Sequence, residues 1–147
     1  MIYMINVWGG AQQYLLNAVQ VQQLRAARFV CGYQSSRWSK SRLLSRVKWL
    51  SIRQLIFYHT VVQTIKTLSS GLPRPIYDTL PTEYPYRTRN CTQGLIRNEE
   101  SKGKTTFQNR AMHFYNMVPL EIRQSSIGTV KKKLNQWVQA HVPIDWG

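Results

Sequence analysis

The sequence predicts a mainly α-helical fold, a small domain of about four to five helices. Three observations lead to this class. Apolar residues recur at spacings of three and four over long stretches, helix start and stop signals border those stretches, and four of the six prolines fall within 73–85. A chain of 147 residues can also bury a core without disulfides or a structural metal.

The first long helix is predicted after the Gly9-Gly10 break, and Gly32 is its expected C-terminal stop. We expect its inward face to consist of residues spaced by three and four, namely Tyr14, Ala18, Val21, Leu24, Ala27 and Cys31. A short helix from Ser41 to Val47 follows, because its apolar residues share one face and its cations do not.

The clearest helix start is the stretch LSIRQL. Ser51 is a good N-cap, Gln54 occupies the third helical position of a capping box, and Leu50 and Leu55 occupy the positions of a hydrophobic staple. We expect this helix to be the longest or second longest and to end before Gly71. Its predicted apolar stripe is Ile52, Leu55, His59, Val62, Ile65 and Leu68.

Prolines weaken the helical pattern in the middle of the chain. They permit at most one helical turn around 76–80, and residues 86–97 could form a weak β-hairpin or an extended arm. The sequence therefore divides into an N-terminal helical region (1–72), a proline-rich, extended connector (73–104) and a C-terminal helical corner (105–147), which together are expected to form one structural domain.

The C-terminal corner begins with a helix capped by Thr105 or Thr106 and ended by Pro119. The expected inner face is Phe107, Ala111, Phe114, Tyr115 and Val118, with Arg110 turned towards Glu121 or a phosphate. A single turn then precedes a last helix, whose inward residues are predicted to be Val130, Leu134, Trp137, Val138 and His141.

The charge balance favours a polyanionic partner. Twenty Lys and Arg against six Asp and Glu give a net charge of +14, and 37–74 contains no acidic residue. A solvated basic face is the simpler alternative. The cations expected to contact phosphates are Arg37, Lys40, Arg42, Arg46, Lys48, Arg53, Lys131, Lys132 and Lys133, and the tryptophans within the basic stretch, Trp38 and Trp49, are candidates for stacking on bases unless they are partly buried.

Candidate catalytic groups are scattered. Asp78 and Asp145 are the only aspartates and lie far apart, so no carboxylate cluster is predicted that could hold the divalent cations of phosphoryl transfer. The histidines, His59, His113 and His141, each stand alone in a helical pattern and are read as packing residues. We therefore expect no enzymatic activity, no catalytic residue, no metal and no cofactor.

Targeting signals are also missing from the sequence. The uncharged stretch 1–24 contains seven Asn and Gln residues and is too polar to span a bilayer, and no basic segment precedes it as in a signal peptide. The two cysteines show no metal-ligand spacing. We expect an intracellular protein, nuclear or cytoplasmic, that is not secreted and has no membrane partner.

The order of motifs resembles a known family. The stretches VWGGAQQYLLNAVQVQQLRAARFVCG, LLSRVKWLSIRQLIFYHTVVQTIKTLSSGLPRPIYDTL, YRTRNCTQGLIR and TFQNRAMHFYNMVPLEIRQSSIGTVKKKLNQWV look like the C-terminal region of the reverse-transcriptase polyprotein of non-LTR (LINE, jockey-like) retrotransposons. The resemblance covers nearly the whole chain, and its most specific part is the aromatic-Asn-x-x-Pro-x-x-Ile-Arg block before the lysine-rich last helix.

The resemblance implies a truncated, non-catalytic fragment, because the polymerase's paired metal-binding aspartates have no counterpart here. It implies binding of RNA or DNA in support of target-primed reverse transcription, with the polymerase portion of a related element as a further partner. Two alternatives stay open. The helices could dock onto a polymerase without binding nucleic acid, or the chain could be a non-functional element remnant.

Overall fold

The computed structural model of the chain describes residues 4–32, 37–80, 93–96 and 106–145. This part of the chain is mainly helical and contains no strand, as the fold class predicts. Residues 93–96 include a turn, whereas the rest of the predicted hairpin lies outside the described residues. The helices are α1 (Ile5–Trp8), α2 (Gln13–Cys31), α3 (Lys40–Val47), α4 (Ile52–Ser70), α5 (Arg74–Tyr77), α6 (Phe107–Met117), α7 (Leu120–Arg123) and α8 (Ile127–His141).

The chain divides into two compact units. The first unit contains Met1–Ile56 and Trp137–Gly147, and the second contains Phe57–Gln136. Helices α4 and α8 contribute residues to both units. With 19 residues, α4 equals α2 as the longest described helix, which confirms the prediction made from its start signal.

In the first unit α2 packs against α3. The buried residues of α2 are Leu16, Gln20, Gln23, Leu24 and Ala27. The predicted inward face was therefore wrong at Tyr14, Ala18 and Val21, which are exposed. The physical reason is that the side-chain amides of Gln20 and Gln23 form hydrogen bonds with each other and with the Leu50 carbonyl. A helix face that contains two glutamines can therefore be buried.

The ends of α3 and the start of α4 follow recognisable capping chemistry. Ser39 caps α3 by accepting a hydrogen bond from the Arg42 amide at 3.3 Å. At α4, Ser51 Oγ accepts from the Gln54 amide (3.2 Å), and Gln54 Oε1 accepts from the Ser51 amide (3.0 Å). These two reciprocal bonds are the predicted capping box.

In the second unit α4 is buried over more than half of its circumference. Its buried residues there are Phe57, Thr60, Val61, Val62, Thr64, Ile65 and Thr67. The predicted stripe on α4 was correct for Ile52, Val62 and Ile65, but Leu55, His59 and Leu68 are only half-buried. A helix that contacts its surroundings on several sides has no single apolar stripe for the sequence to display.

The C-terminal corner is centred on Ala111 and Met112, which form a buried cluster with Leu80 and Ile96. Thr106 caps α6 by accepting from the Asn109 amide at 3.4 Å. Phe107, Phe114 and Tyr115 are half-buried, and Phe107 and Tyr115 pack against this cluster. The buried face also includes Met112, an inward residue that the sequence interpretation missed. Val118, Val130, Leu134 and Val138 are buried as predicted, and Ile122 is buried as well, whereas Trp137 is half-buried and His141 is exposed.

Candidate nucleic-acid interface

The outer face of α3 is the richest source of exposed cations in the first unit. Leu43 and Leu44 anchor the inner face of this helix, and Arg42 and Arg46 lie one turn apart on the opposite side. Arg37, Lys40 and Lys48 are exposed around the two ends of the helix, and Arg53 is half-buried in the first turn of α4. We call these residues, together with Trp38 and Trp49, the α3 strip.

The C-terminal end of α3 presents a cation beside an aromatic ring. Lys48 adopts a left-handed backbone conformation with φ 57°, its amide donates to the Ser45 carbonyl (3.2 Å), and the Trp49 amide donates to the Leu44 carbonyl (2.9 Å). This pair of bonds is the Schellman arrangement, here without the usual glycine. Lys48 is exposed and Trp49 is 40% exposed, so both are accessible to a ligand.

A network of buried glutamines holds the segment that follows this turn. Gln20 Oε1 accepts from the Ile52 amide at 2.8 Å, and Gln20 Nε2 donates to Gln23 Oε1 at 2.8 Å. Gln23 Nε2 in turn donates to the Leu50 carbonyl at 2.8 Å. The glutamine side chains of α2 therefore hold residues 50–52 through the Leu50 carbonyl and the Ile52 amide, which limits how far the neighbouring Trp49 can move.

A second glutamine contact ties the end of the chain to the start of α4. Gln54 Nε2 donates to the Val142 carbonyl at 2.8 Å. Three residues further on, Asp145 Oδ1 lies 3.0 Å from Lys40 Nζ, and the Asp145 carbonyl accepts from Arg53 Nη1 at 2.5 Å. Asp145 thus contacts Lys40 and Arg53, two of the cations that were predicted to contact phosphates. The sequence interpretation did not predict either contact.

The two tryptophans of the strip differ in what covers them. The Arg42 guanidinium carbon lies 4.7 Å from the centroid of the Trp38 ring, which is a cation–π distance, and Trp38 is half-buried. Trp49 is the more exposed of the two. Trp49 therefore has the more accessible ring, whereas the Trp38 ring lies beside the Arg42 guanidinium.

The lysine triplet belongs to the second unit. Lys131, Lys132 and Lys133 are exposed on α8, and Lys133 Nζ lies 3.3 Å from Ser125 Oγ, next to the start of that helix. Val130 and Leu134 are buried on the opposite side of the helix. The three ammonium groups therefore face solvent, and they form a basic group separate in sequence from the α3 strip.

Two arginines of the second unit, Arg110 and Arg123, are buried. Arg123 Nε donates to the Val118 carbonyl at 2.9 Å, and its Nη1 donates to the Gly94 carbonyl at 2.9 Å. Its guanidinium also stacks over the Tyr115 ring at 4.9 Å. Burial lowers the pKa of Arg110, which was expected to face Glu121 or a phosphate and instead lies among core residues.

The acidic and imidazole groups of the described residues are dispersed. Asp78 lies 3.8 Å from Arg74 in the second unit, and Asp145 pairs with Lys40 in the first. Within the described residues, no group of three or more His, Cys, Asp or Glu could hold a metal ion. His141 stacks on Trp137 at 4.7 Å, and His59 lies edge-on to Tyr58 at 5.2 Å.

None of the described helices combines the length and the apolar character needed to cross a bilayer. Comparison of the chain with protein-family models, with curated proteins and with solved structures finds no match.

The sequence interpretation missed the glutamine network, the left-handed Lys48 and the Asp145 contacts. A signal for the network was present. Gln20 and Gln23 share a helical face with Leu16, Leu24 and Ala27, which is the face that is buried. Counting glutamine as an outward residue hid this face, although an amide can pair with the backbone and be buried at little cost.

Proposed function

We propose that the chain binds the phosphate backbone of RNA or DNA through the α3 strip, without catalysing a reaction. On this proposal the lysine triplet Lys131–Lys133 adds a second contact, and the binding supports target-primed reverse transcription as the resemblance implies. The protein would act inside the cell, in the nucleus or cytoplasm, and its other partner would be the polymerase portion of a related element.

The observation that carries the proposal is the arrangement of Arg46, Lys48 and Trp49. Two exposed cations at the C-terminal end of α3 precede a tryptophan that is itself 40% exposed, and buried glutamines fix the segment after it. Cations that neutralise phosphates release counterions, and an adjacent ring stacks on a base of any sequence. Such a combination supports binding with little sequence preference.

The first experiment measures affinity against salt by fluorescence anisotropy. Labelled single-stranded RNA, single-stranded DNA and duplex DNA of one sequence are titrated with the full chain between about 50 and 200 mM salt. If the four cations of the α3 strip that Asp145 does not engage all contact phosphates, log K falls against log salt with a slope of about −3 on a single strand, and release of Lys40 and Arg53 from Asp145 would steepen it to about −4. A flat response, or no binding at any salt, would favour a protein-docking module or a remnant instead.

Lys48→Gly separates binding from folding. Glycine suits the left-handed conformation at this position, so we expect the variant to be more stable than the parent by about 1 kcal/mol. Removing one phosphate contact should make the single-strand salt slope shallower by about 0.7. Weaker binding by a more stable protein cannot be attributed to unfolding.

The matched control for this variant is Lys66→Ala. It removes an exposed lysine of the second unit that is not in the proposed interface. Its salt slope should equal that of the parent. Equal losses of slope in both variants would mean that only net charge matters, and would remove the α3 strip as a site.

Trp49 tests the stacking contribution. Trp49→Ala should weaken single-strand binding by about 1–3 kcal/mol, whereas Trp49→Phe keeps a ring and should retain most of the affinity. Thermal melting of both variants checks the fold. If Trp49→Ala binds like the parent at every salt concentration, the ring takes no part in binding, and the proposal reduces to the cations.

A further inference from the structure

The outer face of α2 carries an apolar stripe that the described part of the chain leaves exposed. Tyr14, Ala18, Val21, Arg25 and Phe29 follow one another at spacings of four, three, four and four, which places them on one side of the helix. Tyr14 is 66% exposed, Val21 46% and Phe29 89%. We call these five residues the outer stripe of α2.

The stripe is unusual for a helix that already has a buried face. Leu16, Gln20, Gln23, Leu24 and Ala27 make the inner face, so α2 is apolar on two sides. The stripe runs over 15 intervals of the helix, about 22 Å at 1.5 Å per residue. Long, narrow apolar stripes match the apolar side of another helix, whose side chains pack along the same length.

Charge indicates what kind of helix would fit. Arg25 and Arg28 are the only charged residues in 1–32, and Arg25 is exposed in the middle of the stripe. A partner that covers the stripe must therefore bring a carboxylate to Arg25, because an uncompensated cation in an apolar interface is costly. We propose that the outer stripe of α2 is a docking surface for an acidic amphipathic helix of another protein.

A second copy of the chain fits this surface poorly. Two copies of α2 would bring Arg25 and Arg28 from each side into one interface, and no acidic residue of 1–32 is present to meet them. Each copy also carries a net charge of +14, which adds long-range repulsion. A membrane surface fits poorly too, because Arg25 lies within the apolar stripe instead of along its edges, where a membrane-bound helix carries its cations.

The proposal is independent of nucleic-acid binding and is tested with designed peptides of about 22 residues. One labelled peptide carries a leucine stripe at the spacing of the outer stripe, flanked by glutamates. A second peptide has lysines at every glutamate position, and a third scrambles the acidic peptide so that it loses its amphipathic pattern. Anisotropy with the full chain should show binding of the first peptide alone.

Variants of the chain locate the binding. Arg25→Glu should weaken binding of the acidic peptide about tenfold or more, as expected for the loss of one good charge pair, and should allow the lysine peptide to bind. Phe29→Ser should have a similar effect on affinity. The controls are Lys66→Glu, which changes net charge by the same amount, and Leu72→Ser, which removes an apolar side chain that is 64% exposed elsewhere; both should bind the acidic peptide like the parent.

Three results would overturn the proposal. The first is equal binding of the acidic and scrambled peptides, which would indicate charge attraction alone. The second is failure of all peptides to bind. In that case sedimentation would show either a dimer that Phe29→Ser dissociates, so that a second copy covers the stripe, or a monomer, so that the stripe has no partner. The third is binding of the chain to phosphatidylcholine–phosphatidylserine vesicles, if Phe29→Ser abolishes this binding and the acidic peptide does not compete with it. That result would identify a membrane as the occupant of the stripe.

Discussion

The two units of the chain differ in whether they bury charged side chains. In the first unit the buried polar side chains are uncharged, namely Gln20, Gln23, Ser51 and Gln54, and the cations of the α3 strip are exposed or, at Arg53, half-buried. In the second unit two cations, Arg110 and Arg123, are buried together with three threonines. A net charge of +14 therefore overstates the charge at the surface, because two of the arginines lie inside the fold.

The largest effect should come from the glutamine network. Gln20→Leu leaves the Ile52 amide and the Gln23 side-chain oxygen without their partner, so we expect it to lower the free energy of unfolding by about 2–4 kcal/mol. Gln22→Leu, an exposed change on the same helix, should stay within about 0.5 kcal/mol. Urea unfolding measures the free energy of unfolding of both variants. Equal values would contradict a stabilising role for the buried glutamines of the first unit.

The second prediction concerns the buried cation of the other unit. Arg123→Met removes the donors to the Val118 and Gly94 carbonyls, so the free energy of unfolding should fall by about 2 kcal/mol. The salt slope of nucleic-acid binding should not change. Gln124→Met, an exposed neighbour, is the stability control. A shallower salt slope for Arg123→Met would show that this guanidinium reaches a phosphate after all.

A smaller effect is expected at the aromatic pair of the second unit. The Phe114 and Phe57 ring centroids lie 4.7 Å apart, and Phe114 is half-buried. Phe114→Ala should therefore cost about 2 kcal/mol or less, below the 3–5 kcal/mol of a fully buried ring. His113→Ala, at an exposed position, should stay within about 0.5 kcal/mol. Thermal melting of the two variants separates a packing role for Phe114 from a general sensitivity of α6.

The smallest effect is a pH dependence. Burial lowers the pKa of His59, and the nearby Lys66 lowers it further. The unfolded chain therefore takes up the proton first, so stability should fall as the pH drops through the ordinary histidine pKa of about 6.5 and level off below the pKa of the folded state.

Two variants assign this pH dependence. His59→Gln should flatten the stability profile between about pH 7.5 and 5. Lys66→Met removes only the second cause of the shift and should flatten the profile less. An unchanged slope in His59→Gln, measured by urea unfolding at each pH, would mean that other groups dominate the acid response.

Local signals in the sequence were sufficient for the long helices and several of their ends, whereas the short helix α1 was not predicted. The capping box of Ser51 and Gln54, the cap at Thr106 and the stop at Gly32 involve residues within a few positions of one another, so their hydrogen bonds can be predicted without knowing the rest of the fold. The mainly helical class follows from the same short-range regularities.

Only the tertiary structure decided which faces are buried. Tyr14 and Val21 are as apolar as an inward face requires, yet the face with Gln20 and Gln23 is the buried one because distant backbone groups at 50–52 satisfy the amides. The contacts of Asp145 with Lys40 and Arg53 likewise join residues about a hundred positions apart. Burial of polar side chains depends on such long-range partners, and the periodic pattern along one helix does not identify them.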